Sequence, residues 1–65
     1  MITKLKRQRK MLGWSQFELA KAADIAPGRI SFAETGRVRL NDEELARVKS
    51  ALAKRAEEVA RTVAA

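Results

Sequence analysis

Sixty-five residues with 14 Lys and Arg against 8 Asp and Glu, a formal charge of +6, make one small basic domain (residues 1–65) with a thin core. The chain has no Cys and no His, which excludes disulfides, thiolate chemistry and the usual zinc ligands and leaves the fold to apolar packing. No apolar run approaches the roughly 20 residues of a membrane span, and the start, MITKLKRQRKMLGW, lacks the apolar core and cleavage site of a secretory signal, so a cytoplasmic protein is expected.

The 46% hydrophobic fraction comes largely from Ala, with only 3 Gly and 1 Pro, which favours short packed helices: an all-α domain of four or five helices. Thr3 is a suitable N-cap for a first helix in which Leu5, Arg9 and Leu12 recur at spacings of four and three, and Gly13 stops it. Ser15 followed by Glu18 is a capping box. It opens a second helix, from about Gln16 to Ala23, whose stripe of Leu19, Ala20 and Ala23 is narrow enough for another helix to approach closely. Asp24 sits where the chain must turn sharply, and Asp tolerates the left-handed conformation better than most residues.

Pro27 suits the first turn of a third helix, about residues 26–34, that ends before Gly36. Its inward stripe is Ile30 and Ala33, which leaves Gly28, Arg29, Ser31 and Phe32 to face elsewhere. After a loop from Arg37 to Leu40, Asn41 and Glu44 repeat the capping box, with Asp42 and Glu43 favoured by the helix dipole. From Asn41 to about Val63 nothing interrupts the pattern, which predicts one long helix or two with a slight bend. Leu45, Val48 and Leu52 are expected to close the core. Ala56, Val59 and Val63 have little left to pack against and form either a homodimer interface or an exposed tail or linker.

The net positive charge belongs to the first 40 residues, because from Asn41 onward five bases meet five acids. Such a balance points to a polyanionic partner. No nucleophile, base or metal constellation can be assembled, so neither an enzyme nor a cofactor is expected.

The order Gln16, Leu19, Ala20, Ala23, Ile25, Ile30, Ala33 resembles the repressor-like helix-turn-helix family of phage repressors and xenobiotic-response-element regulators. The flanks Leu12-Gly13-Trp14-Ser15-Gln16 and Glu34-Thr35-Gly36 extend the likeness over about residues 3–52, with the motif itself at 16–34. The resemblance implies sequence-specific binding of double-stranded DNA by a transcriptional regulator, a repressor acting as a homodimer, with the third helix in the major groove. By position, the base-contacting residues would be Pro27, Gly28, Arg29, Ser31 and Phe32. Arg29 is the one suited to donate two hydrogen bonds to guanine, while Pro27 and Phe32 suit a thymine methyl. Gln16 matches the family's phosphate-bonding residue, Arg37, Arg39 and Asn41 lie where members meet the DNA backbone, and Arg9 and Glu34 match a salt-bridged pair.

The chain departs from the family's preferences at Asp24, where Gly is usual, and at Ala26, where Ser or Thr is usual. Its third helix also offers few hydrogen-bonding side chains, which shifts weight toward DNA shape. Trp14 reads as a packing residue, and Phe17 as cover for the third helix, a partner contact or a surface aromatic. Phe32 contacts either a base or the fourth helix. A second functional reading is an antitoxin or other protein-interaction module built on the same fold.

Overall fold

A computed structural model describes residues 4–64, with side chains as far as Thr62. The described residues form four helices: α1 (Lys4–Met11), α2 (Gln16–Ala23), α3 (Pro27–Glu34) and α4 (Asp42–Ala64). Thr3, expected as the first N-cap, and the Val63 side chain lie outside the described residues. Among the described residues no helix is long and apolar enough to cross a membrane.

Each break between the short helices has a local cause. Gly13 after α1 and Gly36 after α3 take φ values of 71° and 80°, and Asp24 caps α2 at φ 56°, all in the left-handed region that ends a helix. The chain reverses at Asp24 with the Ile25 amide donating to the Ala20 carbonyl at 2.9 Å, which turns Ile25 into the core. Ser15 and Glu18 form the expected reciprocal cap on α2, the Glu18 amide donating to Ser15 Oγ and the Ser15 amide to Glu18 Oε1. Ala26 precedes α3 with no side-chain cap, so Pro27 alone sets its first turn.

The core is one cluster: Leu19, Ala20 and Ala23 of α2, Ile25 of the turn, Ile30 of α3, Leu40 of the loop, and Val48, Ala51 and Leu52 of α4. Leu5, Leu12, Trp14 and Ala33 pack around it. The α4 stripe differs from the expected one. Leu45 is 39% exposed, and the inward positions are Glu44, Val48, Ala51 and Leu52. The reciprocal cap between Asn41 and Glu44 holds the Glu44 side chain at the start of the stripe, so the face that closes the core is centred one residue earlier than apolarity alone indicates.

α4 is one unbroken helix of 23 residues, about 35 Å at 1.5 Å per residue, and it sets the 39 Å long dimension of the molecule. Arg55 fastens its second half to the α1–α2 turn. Arg55 Nε donates to the Leu12 carbonyl at 3.2 Å, and the guanidinium lies 5.6 Å from the centre of the half-buried Trp14 ring, a cation–π contact. Trp14 thus packs within the fold. Ala56 is exposed, and with Gln8, Met11, Leu12, Lys49, Leu52 and Ala53 it lines an open groove of about 370 Å³ between α1 and α4.

Candidate nucleic-acid interface

The α2–α3 unit presents two features to solvent side by side: the N-terminus of α2 and the outer face of α3. At the first, Ser15 Oγ takes the Glu18 amide, while the amides at the first helical positions have no partner inside the helix. Gln16 stands there half-buried, its Nε2 donating to Glu34 Oε1 at 3.0 Å. Glu34 itself is 2% exposed and accepts from Arg9 twice, from Nε at 2.6 Å and from Nη2 at 3.0 Å. Arg9 Nη1 also reaches the Trp14 carbonyl at 2.6 Å. α1, the α1–α2 turn, α2 and the end of α3 are therefore joined through one buried carboxylate.

Burial alone pushes the Glu34 carboxyl up, but the hydrogen bonds from Arg9 and Gln16, with the charges of Arg9 and Lys6, outweigh it and hold the group below its ordinary value. The fork is thus a charged, hydrogen-bonded pair, and it fixes which way the Gln16 amide points. One Gln16 amide hydrogen is spent on Glu34; the other hydrogen and the carbonyl oxygen remain.

On α3, Ile30 and Glu34 face inward, so the opposite face runs through Gly28 and Phe32, both exposed, with Arg29 and Ser31 half-buried on its flanks and Pro27 exposed at its start. Phe32, at 47% exposure, stands at the centre of that face. A Cβ added at Gly28 would meet nothing within 4 Å, so no packing within the domain demands glycine there. Beyond α3 the chain alternates: Val38 is half-buried and Leu40 buried, and Arg37 and Arg39 between them are exposed. The Arg37 amide anchors this stretch on the Phe32 carbonyl at 2.9 Å.

Two of the residues expected at the interface, Arg29 and Asn41, already have partners within the domain. Arg29 donates to Glu44 through Nε at 2.5 Å and Nη2 at 2.8 Å, across 15 residues of chain. Asn41 spends its Oδ1 on the Glu44 amide at 2.8 Å, and its own amide donates to Glu44 Oε1 at 3.0 Å. Glu44 thereby joins α3, the loop and α4, and the Arg29 guanidinium beside it, with the Asn41 amide, lowers its carboxyl to about 2. A hydrogen-bonding role for Asn41 toward DNA is left to its side-chain amide nitrogen. The Asn41–Glu44 cap was visible in the sequence; the Arg29 partner was not, because nothing local links the two positions.

Phe17 does not cover α3. It is 74% exposed and lines a shallow groove with Lys21, Ile25 and Pro27. Gln16 is thus tied to Glu34 at the end of α3, Arg29 and Phe32 stand on the outward side of α3, and Arg37 and Arg39 are exposed in the loop that follows, all on the half of the chain that carries the net positive charge.

A family model described as helix-turn-helix matches residues 5–59, which takes in all of α2 and α3 and most of α1 and α4. No curated protein and no solved structure matches the chain.

Proposed function

The chain belongs to the helix-turn-helix family, DNA-binding domains of transcriptional regulators, and we propose that it binds double-stranded DNA sequence-specifically as a repressor, with α3 in the major groove. One observation carries the reading: α3 turns an uncrowded face, Gly28 and Phe32 flanked by Arg29 and Ser31, away from a core that fixes its own orientation. The two ends of the contact are supplied by Gln16 with the first amides of α2 and by Arg37 and Arg39 in the loop. These meet phosphates and set the docking angle. Phe32 and Pro27 present apolar surface to thymine methyl groups, and Arg29 is the donor for guanine.

A homodimer would set two copies of α3 about 34 Å apart on successive major grooves. The groove between α1 and α4, with Met11 at 76% exposure on its rim and Ala53 and Ala56 along α4, supports that assembly. Repression needs only occupancy of the operator, and the cytoplasm is the compartment proposed for the chain. The exposed Phe17 beside Lys21 and Pro27 favours a second reading, a protein-interaction module, because a large apolar side chain there contributes little to the domain's own packing.

Selection of binders from random duplex DNA at two salt concentrations tests the proposal. An enriched motif at both, with affinity falling steeply as salt rises, is the expected result; binding without any base preference at either salt contradicts it.

A further inference from the structure

The Arg29–Glu44 pair does more than fasten α3 to α4. A guanidinium offers two edges that can each donate a parallel pair of hydrogen bonds: one from Nε and one terminal nitrogen, the other from the two terminal nitrogens. Glu44 takes the first edge, through Nε and Nη2. That leaves the end edge, Nη1 with the second Nη2 hydrogen. The Arg29 side chain is 40% exposed and the Glu44 side chain 10%, so the carboxylate lies inside and the guanidinium outside it. Arg29 sits three residues before Phe32, on the same side of α3, so its more exposed guanidinium stands on the flank of the outward face.

Glu44 cannot swing away to release the arginine, because its Oε1 also accepts from the Asn41 amide and its own amide is bound by Asn41 Oδ1. Its carboxyl stays charged at any physiological pH. We infer that Glu44 is a positioning residue for base recognition: it holds the Arg29 guanidinium by one edge so that the other meets O6 and N7 of a single guanine in the operator. The inference rests on the DNA-binding reading above and deepens it. Guanine is the base whose major-groove edge presents two acceptors spaced for such a fork. An arginine fixed in advance discriminates more sharply than one that must lose its rotamer freedom on binding.

The test is a comparison of base preferences, position by position, for the full chain and its Glu44→Gln variant, measured by competition with duplexes that differ at one base pair of the selected site. Gln at the third helical position still completes a capping box, so the fold is retained, which the thermal midpoint verifies. Glu44→Asp, which keeps the charge but withdraws it from Arg29, makes the same comparison should Glu44→Gln melt too low. The expected result is a loss of about tenfold in discrimination for guanine at one position, with every other position changed by less than about twofold. In an Arg29→Ala background the same substitution is expected to change no preference. Tighter binding with the guanine preference intact would overturn the inference, since Glu44 would then be a competitor for Arg29. A lower midpoint with unchanged preferences would overturn it too, since the pair would be purely structural. If the unaltered chain shows no preference at any position, it is the sequence-specific reading itself that fails.

Discussion

Gly28 is the residue whose chemistry runs most directly against its local setting. It lies in the first turn of α3, where glycine costs about 1 kcal/mol relative to alanine, and a Cβ there would touch nothing in the domain. Gly28→Ala is therefore expected to stabilise the free protein by roughly 0.5 to 1 kcal/mol and to weaken DNA binding, because the added methyl meets the groove instead of the protein. Thermal melting and a binding titration on the same variant check both halves, and a variant that is more stable and binds equally well would remove Gly28 from the interface.

Glu34 shows the opposite case, a charge the fold cannot leave alone. Glu34→Ala strands the buried Arg9 and is expected to cost about 3 kcal/mol of the roughly 5 kcal/mol that a domain this small possesses. Replacing both partners with apolar residues of similar volume, Arg9→Met with Glu34→Leu, is expected to restore most of that stability but to leave Gln16 unanchored. Its DNA affinity is then expected to fall while its melting recovers, which separates the fork's structural work from its effect on docking. At this scale the sequence was informative wherever a residue's role is carried by its neighbours in the chain. The cap of Ser15 with Glu18 and the left-handed Asp24 follow from local rules. The register of α4 and the partner of Arg29 do not, because both depend on which carboxylate the tertiary fold draws inward.

Among the elements, α3 is the least well founded. It is eight residues long, has no side-chain cap at Ala26, and follows a turn that holds Asp24 at φ 56°. Ala26→Ser is expected to add about 1 kcal/mol by supplying the missing acceptor. Asp24→Gly is expected to add up to about 1 kcal/mol by removing the Cβ penalty of the left-handed conformation. The two positions flank one turn, so the double variant reads their combined gain, and a rise of several degrees in its melting midpoint checks it. No rise would mean that the turn is held from elsewhere. The helix boundaries were legible from Gly13, Ser15, Pro27, Gly36 and Asn41, each acting within its own turn. The inward face of α4 departs from its apolar spacing at Leu45 because an apolar residue there competes with an acid that the Asn41 cap and Arg29 both require.

For the whole molecule, two buried carboxylates tie the four helices together, and both have pKa values below the ordinary 4.5, that of Glu44 at about 2. A depressed carboxylate contributes stability that is present in full above its unfolded pKa and is lost as pH falls through its folded pKa. The melting midpoint is accordingly expected to hold steady from neutral pH to about pH 5, then to drop between about 4.5 and 2, with a smaller drop in Glu44→Gln. A midpoint unchanged down to pH 2, followed by circular dichroism, would contradict the tie. The same two acids stand behind Gln16 and Arg29, so the contacts that hold the domain together also aim the side chains that leave it.

We propose that DNA meets the outer face of α3, bracketed by Gln16 and the Arg37–Arg39 loop. Backbone amide shifts of the isotope-labelled chain, followed by NMR while a selected duplex is added, test it most directly. The largest changes are expected at Gln16, Phe17, Gly28, Arg29, Phe32, Arg37 and Arg39, with Ala53 and Ala56 in the groove between α1 and α4 little affected by the DNA itself. Changes confined to Met11, Lys49, Ala53 and Ala56, with α3 silent, would contradict it.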